Sequence, residues 1–252
     1  MEKTTIKYQK RIIAFMDILG FSSIIEKTRQ DDELRMRVEE LLVLYHEIMI
    51  KPDLENNNIR DRQARKITSF SDNIVISYSI NVSFLEAIYD LCSLQVLALN
   101  KGFLVRGGIT IGDVRHVEKT LFGPGFIEAY RLESEVSIFP RVIFTQKTLT
   151  EAFDKDMKVE LTKEDDERFI KKNLCKKDYD GLFYLDFLND YIVAKSIIDK
   201  DDYIMKLVKI IDDNKNITNA KVKQKYDWLK TKVEDCLLEW SKSAQVIENN
   251  RK

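Results

Sequence analysis

Apolar and polar residues alternate along the first part of the chain with two periods, one typical of strands and one typical of helices. Residues 11–16 form a short β-type run. Residues 22–49 repeat at helical spacing, with one apolar stripe that consists of Leu34, Val38, Leu41, Leu42 and Tyr45. The first unit is therefore predicted to be a strand followed by one helix, and the polar segment 53–65 is predicted to be a loop.

A tight hairpin is predicted next. Two β-rich runs, residues 66–70 and 73–78, are separated by only two residues, and this spacing places Asp72 at the tip of a turn. Helical spacing then follows Ser83, which has the side chain of an N-cap. The second unit is therefore a hairpin followed by a helix.

The central segment carries several glycines. Residues 103–112 are of β type with three glycines, which indicate close backbone approach or a bulge. The Gly-Pro-Gly sequence at 123–125 begins a helix, and residues 141–144 form another β-type run. The order β-α-β-β-α-β-α-β predicts an α+β fold, in which one sheet has helices on one face.

The last part of the chain has a different pattern. Residues 155–180 are strongly charged and are predicted to be loop with a short helix, and residues 182–187 are predicted to be a closing strand. Beyond residue 216, a narrow apolar seam of helical period consists of Val222, Tyr226, Leu229, Val233, Cys236 and Trp240. This helix is predicted to pack on its own domain or on a partner subunit.

Composition narrows the class of protein. At 252 residues and 44% apolar content, the chain can bury one core with additions, or two small cores. The 41 basic and 42 acidic residues almost balance, which argues against nucleic acid or an anionic membrane as a partner. With no long apolar run and no signal-peptide pattern, we expect a cytoplasmic protein. The three distant cysteines fit reduced thiols: Cys92, Cys175 and Cys236.

Two aspartates stand out against this background. Asp17 interrupts an apolar segment, FMDILGF, where a lone carboxylate must be neutralised, paired or bound to metal. Asp72 lies at the predicted hairpin tip. Together they could hold two divalent cations, which prefer oxygen ligands and can activate a hydroxyl for phosphoryl transfer. Taken singly, Asp17 is as readily a cap or a paired core acid, and Asp72 is as readily a turn residue.

Groups that favour phosphate lie close to these acids in the predicted fold. The amides of Gly20, Phe21 and Ser22 fall at a strand-to-helix turn, where free N–H groups attract anions. Arg106 precedes two glycines on an apolar strand, and its planar guanidinium can pair with phosphate oxygens. Taken alone, Arg106 is as readily an exposed strand residue.

At this level of detail the sequence resembles the class III nucleotide cyclases. Four segments resemble the family's motifs in the same order, over about residues 11–144: FMDILGF, SFSDNIVIS, VRGGITIGDV and TLFGPGFIEAYRLES. The resemblance implies a ferredoxin-like core with a mainly antiparallel sheet. It implies two Mn²⁺ or Mg²⁺ ions held by Asp17, the Ile18 carbonyl and Asp72. It also implies that the triphosphate is held by Gly20, Phe21, Ser22 and Arg106, and that Arg131 stabilises the transition state.

Three positions depart from the purine cyclase pattern. Ile127 replaces an Asn, Thr68 replaces the purine-selecting Lys, and Thr120 replaces the base-selecting Asp. With these departures the chain resembles the pyrimidine cyclases of bacterial Pycsar anti-phage systems. That resemblance implies cyclic UMP from UTP, or cyclic CMP from CTP as the second expectation. It also implies a separate effector that the messenger activates, and abortive infection.

The resemblance also implies an assembly. It places a catalytic domain at residues 1–190, a C-terminal helical extension at 191–252, and a head-to-tail homodimer with shared active sites. Lys176 or Lys177 is a further candidate for phosphate contact. Three alternatives stay open: an adenylate or guanylate cyclase, a nucleotide-binding module without turnover, and a phosphoryl-transfer palm related to polymerases.

Overall fold

The computed structural model describes residues 7–50, 64–118 and 120–249. Within these residues, eight strands form one sheet, and they are β1 (Gln9–Ile18), β2 (Arg65–Phe70), β3 (Asn73–Ser79), β4 (Val105–Val117), β5 (Thr120–Phe122), β6 (Val142–Phe144), β7 (Cys175–Lys177) and β8 (Phe183–Leu185). The helices are α1 (Phe21–Lys27), α2 (Asp32–Ile50), α3 (Phe84–Asn100), α4 (Pro124–Arg131), α5 (Gln146–Glu151), α6 (Lys163–Asn173), α7 (Asp190–Lys195), α8 (Lys200–Asp213) and α9 (Ala220–Asn249). A π-helical turn, Leu132–Val136, continues α4.

The strand order is β2-β3-β1-β4-β6-β8-β7, and β5 pairs with the end of β4. Every described pairing is antiparallel except that of β4 with β6. The first four strands and the helices between them have the ferredoxin-like order. The predicted α+β fold with a mainly antiparallel sheet is therefore confirmed.

Alternation along β1 divides the core between the two faces of the sheet. Ile12, Ala14 and Met16 belong to the main cluster under the long helices. Ile13 and Phe15 belong to a smaller cluster on the opposite face, under α4. The expectation of helices on one face was therefore wrong, because α4 covers part of the second face.

Glycines on β4 explain how α4 can lie so close to the sheet. A Cβ atom on Gly108 would lie 2.4 Å from the Leu132 side chain and 2.6 Å from the Ala129 carbonyl. A Cβ atom on Gly112 would lie 2.9 Å from the Cα of Gly125. Any side chain at these positions would push α4 and the π-helical turn away from the sheet.

The predicted single helix over residues 22–49 is two helices. Helix α1 ends at Lys27, and α2 begins at Asp32. Just before α2, the Asp31 carboxylate accepts a hydrogen bond from the Leu34 amide at 2.8 Å. Asp31 is thus a helix-start signal that the apolar stripe obscured. Most of the predicted loop over residues 53–65 lies outside the described residues.

Other element predictions are confirmed. The β2–β3 hairpin turns at Ser71 and Asp72, with Ser71 in the left-handed region at φ 56°. Ser83 caps α3 by accepting a hydrogen bond from the Glu86 amide at 3.1 Å. The charged segment 155–180 contains α6 as predicted, but it also supplies the unpredicted edge strand β7.

The C-terminal helix packs on its own chain. The apolar seam of α9 buries Leu229, Val233 and Cys236 against the main core. Beside them, Trp228 stacks on Phe139 with ring centroids 5.6 Å apart, and its indole N–H donates to Asp178 at 2.8 Å. The domain boundary at residue 190 stays a prediction. The three cysteines are buried and free, and no helix among the described residues is long and apolar enough to cross a membrane.

Candidate active site

Asp17 lies one residue before the end of β1, in a row of paired residues on three strands. Its neighbours are Asn73 on β3 and Arg106 on β4. Because the β2–β3 turn immediately precedes Asn73, it brings Asp72 within side-chain hydrogen-bond reach of Asp17. The structure therefore brings together the two aspartates that the sequence singled out.

The Asp17 carboxyl is held in an unfavourable environment for a charge. Burial raises its pKa to about 7, and the hydrogen bond to Asp72, the Asp72 charge and the Glu133 charge add to the effect. The Arg106 guanidinium opposes this rise in the pKa. A carboxyl with this pKa gains strongly from a nearby cation.

Arg106 is the cation that contacts Asp17 in this structure. Its Nε and Nη2 atoms lie 3.2 and 3.1 Å from Asp17 Oδ2. Its Nη2 atom also lies 2.7 Å from Glu133 Oε1, an ion pair without hydrogen-bond geometry. Glu133 is only 3% exposed, and burial raises its pKa. Arg106 is therefore fixed between two acids.

Sequence reasoning missed Glu133. It lies in the π-helical turn after α4 and reaches Arg106 because α4 runs across Gly108. The Gly107-Gly108 pair signalled a close approach at this point but did not show which segment approaches. Tyr45 was also missed as a neighbour of the site: burial raises the pKa of its hydroxyl, and the nearby Asp17 charge raises that pKa further.

The donor set fits divalent cations completed by a substrate. Across residues 7–50, 64–118 and 120–249, no three or more acid, histidine or cysteine side chains are arranged to hold a metal ion. Mg²⁺ commonly takes only one or two carboxylates from the protein and completes its shell with water and phosphate oxygens. Asp17 and Asp72, with the carbonyl of Ile18 at the end of β1, supply such a partial set of hard oxygen ligands.

The turn after β1 is open to solvent. Gly20 has φ 77°, in the left-handed region, and a Cβ there would meet no atom within 4 Å. Phe21 and Ser22 begin α1, and no side chain caps its free amides. The predicted phosphate turn thus adjoins Asp17 with its N–H groups uncapped.

Thr68 is held by a histidine that sequence reasoning did not consider. Its Oγ1 atom lies 2.9 Å from Nε2 of His116, whose Nδ1 lies 2.8 Å from the Ser77 hydroxyl. His116 lies near the end of β4, six residues along the register from the row that contains Ser77. A straight strand would carry it roughly 20 Å past Ser77. The end of β4 therefore curves back so that His116 reaches Ser77.

Thr120 and Arg131 do not meet the Asp17 cluster within the chain. Thr120 is exposed at the β4–β5 turn, where it pairs with Val117. Arg131 is exposed on the outer side of α4, without an ion pair to any residue that the structure describes. Ile127, one turn earlier, is 44% exposed beside it.

Lys176 and Lys177, the two further candidates for phosphate contact, line one cavity. Lys176 pairs with Glu239 at 3.0 Å and Asp186 at 3.6 Å, in a cavity of about 370 Å³ between β7, β8 and α9. Lys177 lines the same cavity, and none of its described lining residues belongs to the Asp17 cluster. By contrast, Lys225 on α9 lies near the Asp17 cluster: burial lowers the pKa of its amine, the Arg106 charge lowers it further, and the Asp17 charge opposes this.

Comparisons with known proteins give partial similarities. No family model and no curated protein matches this chain. The crystal structure of the guanylyl cyclase Cya2 is 19% identical, with a TM-score of 0.40, and the match covers 71% of this chain and 91% of that one. A class III adenylyl cyclase-like ATP-binding protein from Pseudomonas aeruginosa is 12% identical, with a TM-score of 0.39. That match covers 85% of this chain and 47% of the other.

Proposed function

We propose that this chain is a class III nucleotide cyclase that converts UTP, or CTP as the second substrate, to the 3′,5′-cyclic nucleotide and pyrophosphate. The observation that carries the proposal is the convergence of Asp17, Asp72 and Arg106 at one strand end, beside the open Gly20 turn. Acids, a guanidinium and free amides together suit a metal-bound triphosphate. The resemblance of the four sequence motifs adds the reaction class.

Each part of the site has a role in this reaction. Asp17, Asp72 and the Ile18 carbonyl would hold two Mn²⁺ or Mg²⁺ ions, whose chemistry is to acidify the ribose 3′-hydroxyl and neutralise the triphosphate. Arg106 and the uncapped amides of the turn position the β- and γ-phosphates. Arg106 must exchange part of its pairing with Asp17 for phosphate oxygens, and Glu133 keeps the guanidinium in place while it does so.

The exposed position of Arg131 supports a head-to-tail homodimer. On the face where α4 lies, Ile127 is 44%, Tyr130 is 46%, and Phe122 is 40% exposed. Apolar side chains grouped in this way are typical of a surface that a partner covers. A second copy would bring its Arg131 to the α-phosphate held by the first copy, where preorganised positive charge stabilises the transition state.

Thr68 and Thr120 are the proposed base contacts. Short hydroxyls in place of longer charged side chains change which base edge can be read. The wider role that we propose is second-messenger synthesis in the cytoplasm during anti-phage defence, with a separate effector that the cyclic nucleotide activates. No role for nucleic acid or membrane is proposed.

The test is product identification with all four nucleoside triphosphates. Purified protein is incubated with UTP, CTP, ATP or GTP in Mn²⁺ and in Mg²⁺, and the products are identified by mass spectrometry. We expect cyclic UMP or cyclic CMP as the main product. A dominant cyclic AMP or cyclic GMP product would refute the pyrimidine assignment while leaving the cyclase assignment in place.

Matched acid substitutions test the site. Asp17→Asn and Asp72→Asn should each abolish turnover, whereas Asp227→Asn, an exposed acid paired with Lys223 on α9, should leave it unchanged. Retained turnover in both site variants would show that the metal assignment is wrong.

A nucleotide-binding module without turnover is the second candidate. Ile127 favours it, because an apolar side chain there cannot orient a ribose or a water molecule. Binding of UTP with no cyclic product in either metal would establish this alternative.

A further inference from the structure

We propose that Lys225, on the C-terminal helix α9, binds the β- and γ-phosphates of the nucleoside triphosphate together with Arg106. This inference rests on the proposed function, because it assumes that a triphosphate lies against Asp17 and Arg106. It adds a binding residue from a helix whose other described contacts are with the core. Helix α9 therefore completes the triphosphate site as well as covering the core.

One face of α9 is fixed against the body of the chain at two points. The Trp228 indole N–H donates to Asp178 Oδ2 at 2.8 Å, and the Lys232 amine lies 3.0 Å from Asp178 Oδ1. Asp178 also pairs with the buried Arg141 guanidinium. Lys225 precedes Trp228 by three positions and Lys232 by seven. It therefore lies on the same face of the helix, about one turn before Trp228.

The start of β6 connects this face of α9 to the end of the sheet that carries Asp17. The Arg141 carbonyl accepts a hydrogen bond from the Gly107 amide at 3.2 Å, so Arg141 lies beside the residue that follows Arg106 on β4. Arg106 in turn lies opposite Asp17 in the register of β4 with β1. The anchored face of α9 is thus adjacent to the strand end where the two charges meet.

The Lys225 amine is half-buried and has no acid of its own. Among the residues that the structure describes, it makes no hydrogen bond or ion pair, in contrast to three other lysines of α9, which pair with Asp227, Glu234 and Asp178: Lys223, Lys230 and Lys232. The charged groups that act on its amine are Arg106 and Asp17, and Asp17 only opposes the lowering of its pKa by burial and by Arg106. The free protein therefore holds two cations close together.

An anion with several charges removes this disadvantage. Asp17 is already engaged by Arg106 at 3.1 and 3.2 Å, so it neutralises Lys225 only in part. The phosphate oxygens of a triphosphate can accept from a guanidinium and an ammonium group at the same time. Because Lys225 lies near Arg106, it faces the phosphates that Arg106 holds, which are the β- and γ-phosphates in the proposed function.

The first test measures binding of inorganic tripolyphosphate, without a nucleotide and without turnover. Isothermal titration calorimetry in Mg²⁺ compares the wild type with Lys225→Met, which removes the charge and keeps a long side chain. We expect the Kd to rise roughly tenfold or more, the scale of one hydrogen bond to a charged group. Lys225→Arg should retain most of the affinity. Lys223→Met, at an exposed lysine of the same helix, should match the wild type. Unchanged affinity in Lys225→Met would overturn the inference.

The second test distinguishes a phosphate contact from a structural role. UMP has no β- or γ-phosphate, so its affinity should stay the same in Lys225→Met, and an equal loss for UMP and tripolyphosphate would refute a local contact. Urea unfolding should show Lys225→Met to be at least as stable as the wild type, because the substitution removes a half-buried charge beside Arg106. A clear loss of stability would indicate that Lys225 supports the fold and would also overturn the inference.

The outcomes separate this inference from the proposed function. If Lys225→Met selectively loses affinity for tripolyphosphate but the wild type forms no cyclic nucleotide, the phosphate contact stands and the cyclase assignment fails. If the wild type cyclises UTP or CTP and Lys225→Met changes neither the Kd for tripolyphosphate nor the KM for the nucleotide, the inference fails and the cyclase assignment stands. A wild type that neither binds tripolyphosphate nor cyclises a nucleotide would refute both.

Discussion

Burial of a neutral histidine predicts a specific pH dependence of stability. His116 has a pKa of about 4 in the fold against an ordinary value of 6.5. Between these pH values the unfolded chain binds a proton that the folded chain excludes. The free energy of unfolding therefore falls as the pH falls from 6.5 towards 4, and a shift of this size corresponds to about 3 kcal/mol.

The perturbation that isolates this effect is His116→Gln, which keeps hydrogen-bonding groups at the position but does not titrate. Urea unfolding followed by tryptophan fluorescence gives the free energy of unfolding of both proteins at pH 7.5 and 4.5. Because other groups titrate equally in both, the wild type should lose about 2.5 kcal/mol more than the variant over this range. The comparison uses the change with pH, so a constant cost of the substitution cancels.

Two other results of this comparison would contradict the expected pH dependence. If wild type and His116→Gln lose the same free energy between pH 7.5 and 4.5, then burial, with the charges of Arg11 and Lys66, does not hold His116 neutral. A larger loss in the variant would reverse the sign of the argument and refute it outright.

The remaining predictions concern assembly and packing. Asp17→Asn and Arg131→Ala should each be inactive alone, but an equal mixture of the two should regain about one quarter of the wild-type rate. The reason is that half of the dimers are mixed, and each mixed dimer has one intact site out of two. No recovery of activity in the mixture would exclude shared sites. Gly108→Ala should lower the free energy of unfolding by about 3 kcal/mol, because its Cβ would lie 2.6 Å from a backbone carbonyl of α4. Gly20→Ala, in open space, should cost only about 1 kcal/mol of backbone strain, and equal costs would contradict the packing of α4. Trp228→Phe keeps the ring but loses the hydrogen bond to a buried carboxylate, and urea unfolding should show a loss of about 1–3 kcal/mol.

Local chemistry explains which elements could be predicted from the sequence. The hairpin around Asp72, the cap at Ser83 and the glycine-bearing strand each depend on a few neighbouring residues, and each lies where the pattern predicted. The break between α1 and α2 also had a local signal, Asp31, but an uninterrupted apolar stripe outweighed it. Short edge strands such as β7 have too few residues to show a period.

The site was predictable only in part, for a physical reason. Asp17 and Arg106 stand out because a charge in an apolar strand is unusual. Glu133 and His116 do not stand out, since their roles arise from a helix laid across Gly108 and from the curvature of β4. Both roles depend on contacts between distant parts of the chain, which cannot be predicted from the local period or from a motif.

Arg141 shows how late in synthesis the core can be completed. Its guanidinium is fully buried, pairs with Asp178 and Asp180, and lies 5.7 Å from the Trp228 ring. About 90 residues separate Arg141 from Trp228, so at roughly 5–20 residues per second the ribosome needs about 5–20 s to supply the covering indole. During that interval the Arg141 guanidinium and the aromatic side chains around it are not yet covered by α9. Chaperone engagement should therefore peak before α9 emerges from the ribosome.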